Sequence, residues 1–567
     1  METSLKNYQD GGEAILEAIR NLGIEYIMSS PGSEWSPVWE AMARQTDSGA
    51  AGPQFIECWH ENVAVDMAIG YTAVTGRPQA VLVHAGVGLM HGAMAVLSAS
   101  QGEIPMLLMS GESTSFGADP SRQTEAQWYG GVSVGGADRY IGPLVKWSRH
   151  VSHPSVIYES VTRAGEMTER QPKGPVYLNV SLEAMLHPWT RPELPRRIRP
   201  APKLQPLSED IAEIGVLLAN AQRPLIVTET AGRDVAAFDA MIELAQRYAI
   251  PVINGRASHY TNFPKDHPMW LGYTDFGQLE DSDLILIVNG RTPWYPPWKR
   301  PGVGHIVAIS EYPLKDRLAY QCLHADRYLE GDVATSLSLL AGAAASADKA
   351  TVAKRRSYWA GEHDALMARL KAAGEKALAG SGIDAVALAR VAAEELPDNT
   401  IVVDETITHM QLMRPHLPLN RAQSFFRVAA GALGQGMGCA LGVKLAARKQ
   451  PVVLFVGDGS FMYNPIVQSL GASNAYQLPI LIVVCNNGGY EAMRKGHLLH
   501  YPGGVSDTKE LYYGVNLDGP EYHELGSPFG CFGAKAGDLN ALRRGFRDAL
   551  AAVESGRSAI VNVVMTQ

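Results

Sequence analysis

The sequence predicts an α/β protein of three doubly wound parallel-sheet domains. Three observations lead there. Short apolar runs recur along the chain and are separated by stretches with helical spacing. The runs are apolar throughout rather than alternating, as in strands covered on both faces. The chain has 567 residues, which at about 100–200 residues per domain makes three or four units. Hydrophobic residues make up 46% and charged residues 19%, a globular balance that excludes a disordered chain.

Taken in order, Gly12–Leu22 is an amphipathic helix, and Ile24–Met28 is a strand ending in the turn SSPGS. Val63–Thr75 and His91–Ser100 have helical spacing, while Gln79–His84 and Met106–Met109 have the apolar density of buried strands. These form a first unit, 1–190. The connector Pro188–Pro206 is proline-rich, and proline removes helical N–H donors, so it reads as an interdomain linker. A second unit, 191–345, holds strands Pro224–Thr228, Pro251–Asn254, Leu284–Asn289 and His305–Ile309. Ala341–Lys354, Ala-rich and charged, leads into a helical or loose connector over 346–382. The third unit, 383–567, holds strands Thr400–Asp404, Pro451–Val456, Pro479–Cys485 and Ser558–Val564. The three units share one rhythm without a residue-level repeat.

Composition narrows the function. A net charge of −9 argues against a general nucleic-acid binder. The five cysteines (Cys58, Cys322, Cys439, Cys485, Cys531) are odd in number, widely spaced and without CxxC, so neither a disulfide framework nor a structural zinc site is expected. The first residues lack an apolar segment behind a basic start, and no apolar run reaches about 18 residues. The expected address is cytoplasmic, with no membrane partner and a small-molecule substrate.

The most specific stretch is 451–487, PVVLFVGDGSFMYNPIVQSLGASNAYQLPILIVVCNN. Two buried strands end in Gly457-Asp458-Gly459 and Asn486-Asn487. Adjacent parallel strands end on one edge, where ligands bind. A carboxylate and an amide oxygen meeting there suit Mg²⁺, and glycines let a phosphate approach the backbone.

GDG followed by NN resembles the signature of thiamine-diphosphate enzymes, and the whole chain resembles the acetolactate-synthase and 2-oxo-acid-decarboxylase superfamily. The resemblance implies a pyrimidine-binding domain, a central domain and a diphosphate-binding domain. It also implies thiamine diphosphate and Mg²⁺ as cofactors, with the metal on Asp458, Asn487 and the Gly489 carbonyl. CWHENVAVDMAIGYTAVTGRP (58–78) resembles the family's HE…MAxGYAxxTG segment, which makes Glu61 the carboxyl group that activates the cofactor through its aminopyrimidine ring. FFRVAAGALGQGMGCALG (425–442) places Leu433 under the bent cofactor. Gly431, Gly459, Ser460, Asn487 and Tyr490 fall at further cofactor-binding positions.

Several motifs resemble the benzoylformate-decarboxylase branch: SSPGSEWSP (29–37), VHAGVGLMHGAM (83–94), PLVKWS (143–148), KDHPMWLG (265–272) and NNGGYEAMR (486–494). The resemblance implies that Ser33 binds the substrate carboxylate and that His84 and His267 transfer protons. Imidazole titrates near neutral pH and suits that work. The aromatic pocket of that branch does not carry over, because Arg427 and Gly496 stand where it has phenylalanines. Arg427 either binds an anionic substrate group or pairs with Glu491. Ala492 and Met493 fall at pocket positions, and Gln127 at that of a pocket glutamine in related enzymes. VNGRTPWYPPWKR (288–300) lies where some relatives bind FAD or the ADP part of CoA; a domain-interface loop is the commoner meaning of such a run. The family shares each active site between two subunits, so a homodimer or tetramer is expected. The leading expectation is decarboxylation of a 2-oxo acid to an aldehyde through a C2 ylide and an enamine. The alternative is carboligation, or C–C cleavage such as that of a 2-hydroxyacyl-CoA.

Overall fold

The computed structural model describes residues 9–566 apart from 115–123, 125–130, 133, 152, 194–197, 274–275, 297, 299–300, 302–303, 319–320 and 430. Among the described residues the strands form three six-stranded, wholly parallel sheets. The first contains β1 (Tyr26–Ser30), β2 (Gln54–Glu57), β3 (Gln79–Val83), β4 (Met106–Glu112), β5 (Ser148–Val151) and β6 (Pro175–Ser181), in the order β2-β1-β3-β4-β6-β5. The second contains β7 (Pro224–Thr228), β8 (Val252–Asn254), β9 (Trp270–Tyr273), β10 (Leu284–Val288), β11 (His305–Ser310) and β12 (Arg327–Glu330), ordered β12-β11-β10-β7-β8-β9. The third contains β13 (Ile401–Glu405), β14 (Phe425–Arg427), β15 (Val452–Gly457), β16 (Leu481–Asn486), β17 (Phe532–Ala536) and β18 (Ala559–Val564), ordered β14-β13-β15-β16-β18-β17. The first and third sheets thus share one strand order, a repeat that the residues do not display.

The apolar runs become the inner strands. β3, β4, β7, β10 and β13 are buried at every position, as expected for strands covered on both faces. Each sheet has its own core, for example Ile226, Ile285 and Ile306 with Met241 and Leu244 around the second. The stretch expected as a connector at 346–382 is largely one helix, Lys349–Leu378, capped by Asp348, whose carboxylate accepts the Thr351 N–H at 2.8 Å. Trp359 and His363 on this helix are buried, and His363 Nδ1 lies 2.9 Å from the Trp270 carbonyl of β9. No helix among the described residues is long and apolar enough to cross a membrane.

The chain forms two compact units. One comprises 1–202, 429–448 and 464–478, around the first sheet; the other comprises 203–428, 449–463 and 479–567, around the second and third sheets.

Candidate active site

In the first unit, Glu61 opens the helix Glu61–Thr75. His60 caps it, its Nδ1 accepting the Asn62 N–H at 3.1 Å. The helix is apolar nearly all round and correspondingly buried. It crosses the helix Gly436–Ala446 at backbone contact, because a Cβ added at Gly70 would lie 2.0 Å from the Cys439 carbonyl oxygen. Asn62 Nδ2 donates to Asp66 at 2.7 Å and to the Gly434 carbonyl at 3.1 Å, which fastens the loop carrying half-buried Leu433 and exposed Gly431 to the start of the Glu61 helix.

The Glu61 side chain is 12% exposed, and its Oε2 lies 3.3 Å from His91 Nδ1. His91 stacks on His60 with ring centroids 5.5 Å apart. Burial lowers the His60 pKa from its ordinary value against the pull of Glu61. His84 follows β3 and meets Glu34, which lies in the turn after β1 and is fully buried. His84 Nδ1 sits 3.0 and 2.9 Å from the two Glu34 oxygens, and Glu34 Oε1 also accepts the Ala85 N–H at 2.8 Å. A buried carboxylate on Nδ1 fixes the proton there and leaves Nε2 as the working nitrogen. Glu61 and His84 converge on Gly88: a Cβ added there would lie 2.8 Å from Glu61 Oε1 and 2.7 Å from His84 Cβ. Half-buried Ser33 begins the same turn as Glu34.

In the second unit, Asp458 follows β15 and is 2% exposed. Its Oδ1 accepts the Gly459 N–H at 2.8 Å, and its Oδ2 accepts those of Gly488 at 2.8 Å and Gly489 at 3.2 Å. Burial raises its pKa, while these N–H groups act in the opposite direction. A terminal amide atom of Asn487 lies 2.9 Å from the Gly489 carbonyl oxygen and 3.2 Å from Asp458 Oδ1. With the NH₂ turned there, Asn487 donates to both. With its oxygen there, that atom stands 2.9 and 3.2 Å from two further oxygens, close to the edge of about 2.9 Å of an octahedron with bonds of about 2.0–2.1 Å. The donor set therefore fits Mg²⁺.

Gly488 has φ +72°, which only glycine takes freely. Gly459 makes room for the Tyr490 ring, 2.4 Å from an added Cβ, and Ser460 is buried beside it. Arg427 pairs with Asp404 at 3.4 Å and donates to the Thr406 carbonyl at 3.2 Å. This corrects the alternative pairing with Glu491, whose carboxylate faces Arg494 at 3.9 Å and Lys495 at 3.7 Å. Burial raises the Asp404 pKa against the Arg427 charge. Ala492 and Met493 are exposed on the helix Glu491–His500. His267 precedes β9, its Nδ1 accepting the Met269 N–H at 3.1 Å, and burial lowers its pKa. Gln127 lies outside the described residues.

The structure thus gathers Ser33, Glu61 and His84 in one unit, and Asp458, Asn487, Gly489 and Tyr490 in the other. Sequence reasoning missed Glu34 and His91. Both stood inside quoted motifs, as neighbours of Ser33 and Gly92, but only folding reveals their partners.

Amides and oxygens gathered at strand ends serve a phosphorylated cofactor, and a shielded carboxylate near an imidazole serves proton transfer. Together they define a cofactor-dependent α/β enzyme. Residues 9–128 match the family model for the N-terminal TPP-binding domain of thiamine pyrophosphate enzymes, and residues 406–563 match that for the C-terminal TPP-binding domain. A probable 2-ketoarginine decarboxylase of Pseudomonas aeruginosa is 25% identical over 94% of this chain and 91% of its own. The acetolactate synthase large subunit of Parasynechococcus marenigrum is 24% identical over 98% and 87%. The crystal structure of benzoylformate decarboxylase from Polynucleobacter necessarius superposes with a TM-score of 0.78 at 20% identity, covering 98% of this chain and 99% of the other, a likeness of fold. The chain belongs to the thiamine-diphosphate-dependent enzymes.

Proposed function

We propose that the protein decarboxylates a 2-oxo acid to the corresponding aldehyde, using thiamine diphosphate and Mg²⁺. The observation that carries this reading is half-buried His84 held on buried Glu34, set beside Glu61 across Gly88. When bound, thiamine diphosphate supplies a nucleophilic carbon and an electron sink. Glu61, largely shielded from water, holds a proton against the aminopyrimidine ring. Ser33 orients the substrate carboxylate. His84, held through Nδ1 by Glu34, gives a proton from Nε2 to the substrate carbonyl oxygen and later takes one back. His267 acts as the second proton carrier. Asp458, Asn487 and the Gly489 carbonyl hold Mg²⁺. Gly431, Leu433, Gly459, Ser460 and Tyr490 line the cofactor, and Arg427, Ala492 and Met493 the substrate pocket. The same reading takes 1–190, 191–345 and 383–567 as domains, 346–382 as the segment joining the last two, and a homodimer or tetramer whose subunits share each site.

A second reading, carboligation or C–C lysis, is favoured by Arg427. Its partly exposed guanidinium remains a cation beside Asp404 and suits an acceptor or thioester substrate carrying negative charge.

The test is proton NMR of the purified protein with thiamine diphosphate and Mg²⁺ against aromatic, branched aliphatic and dicarboxylic 2-oxo acids. An aldehyde from one of them is expected, with kcat falling about 10²–10⁴-fold in Glu61→Gln. If thiamine diphosphate binds and none of the acids is consumed, decarboxylation is wrong and the lyase reading takes its place.

A further inference from the structure

The second sheet, read from its own first strand, has the order 3-2-1-4-5-6, the arrangement of dinucleotide-binding sheets. Such sheets bind phosphate at the crevice where β7 and β10 diverge, against backbone N–H groups at the strand ends. Glu229 directly follows β7 and is fully buried. Its Oε2 accepts the N–H groups of Arg291 and, at 3.1 Å, Thr292, both just past β10. Its Oε1 accepts the Ala257 N–H, past β8, at 3.3 Å.

The surroundings are shaped around this side chain. A Cβ added at Gly255 would lie 2.5 Å from Glu229 Cγ. The Glu229 carbonyl accepts from His259 N–H at 3.2 Å and from Asn262 Nδ2 at 2.9 Å, so the residue is pinned at both ends. The end of the next strand, β11, is also acidic: Glu311 lies 3.6 Å from Arg233. Trp294, from the aromatic run that suggested a nucleotide platform, is buried and stacks on His324 with centroids 5.9 Å apart.

FAD or the ADP part of CoA, which some relatives bind at the corresponding place, does not fit these residues. A diphosphate would bring negative charge onto a carboxylate that already holds the amides it needs. We propose that Glu229 is an internal substitute for the phosphate: it fills the anion seat of the second sheet, so that the sheet serves as scaffold and binds no nucleotide, and its removal uncovers an anion site.

The test needs no turnover and is independent of the reaction assigned above. Calorimetric titration of the full-length protein, saturated with thiamine diphosphate and Mg²⁺, with ADP and FAD should give no saturable binding. In millimolar inorganic phosphate, Glu229→Ala should melt about 2–4 °C higher than without it, while the wild type and the size-matched Glu229→Gln stay unmoved. Saturable one-to-one binding of ADP or FAD to the wild type already saturated with thiamine diphosphate and Mg²⁺ overturns the proposal. So does a folded Glu229→Ala protein that phosphate leaves unchanged. If Glu229→Ala does not fold, the wild-type titration decides by itself.

Discussion

The first and third sheets have the same strand order and put opposite chemistry on equivalent strand ends. In each, a residue of the proposed site directly follows the third strand: His84 after β3 and Asp458 after β15. His84 reaches back across the divergence of strands to Glu34, behind β1. Asp458 reaches forward to the amides of Gly488 and Gly489, behind β16. The backward pairing joins an imidazole to a buried carboxyl group, a geometry that suits the passing of a proton. The forward one gathers oxygens and N–H groups whose charge need not change, which suits a fixed cation and diphosphate. On the proposed reading, one backbone plan supplies a proton carrier on one sheet and an electrostatic seat on the other, and the choice lies in which neighbouring loop the residue meets.

The comparison breaks most readily at Asp458. Replacing it with alanine removes the only carboxylate of the proposed cation seat and strands three backbone N–H donors. Because the partners that merely orient metal ligands already cost 10–100-fold, a loss of at least about a hundredfold in thiamine-diphosphate affinity is expected with Mg²⁺ present. Calorimetric titration measures it, and unchanged affinity would remove Asp458 from the site. The matching change in the first sheet, Glu34→Gln, is milder because glutamine keeps the shape and one acceptor oxygen. Cofactor affinity and KM should hold while kcat falls about 10–100-fold. A fall in cofactor affinity that accompanies the loss of kcat would mean that Glu34 merely supports the turn.

Much of this was legible beforehand, and what was missed follows a physical pattern. The inner strands show up as apolar runs because both their faces are covered. All six edge strands, β2, β5, β9, β12, β14 and β17, went unseen. β2, β5, β12 and β17 mix exposed and buried positions, and β14 is only Phe425–Arg427, so no apolar run marks them. β6 was missed although it is buried throughout; its central Asn179 interrupts the apolar run and is satisfied by the Gly111 carbonyl at 3.0 Å. At the site, Asp458 and Asn487 stood out because both belong to one local motif. Glu34 and His84 are separated by a whole βαβ unit, and Glu229 meets Arg291 only after the second sheet has closed, so those partnerships belong to the fold rather than to any stretch of sequence.

The smallest expected effect separates the two units by their histidines. Burial lowers the pKa of His60 in the first unit and of His259, His267, His409 and His416 in the second, His259 well below its ordinary value. A histidine whose folded pKa lies below its unfolded value leaves the unfolded chain binding more protons in the interval between them. Its stabilising contribution is therefore complete above about pH 6.5 and is lost as pH falls from there towards the folded value. His259, buried with the Arg291 guanidinium 3.2 Å from its Nε2, cannot take up a proton cheaply. By itself it should raise the opening equilibrium of its surroundings by up to about tenfold per pH unit below 6.5. Hydrogen exchange, corrected for its intrinsic pH dependence, should then show protection falling between pH 7 and 5.5 mainly in 203–428, with the first sheet changing less. His259→Gln should flatten that fall. Equal losses in both units, or a fall that survives the substitution, would show that acid sensitivity comes from elsewhere than these buried rings.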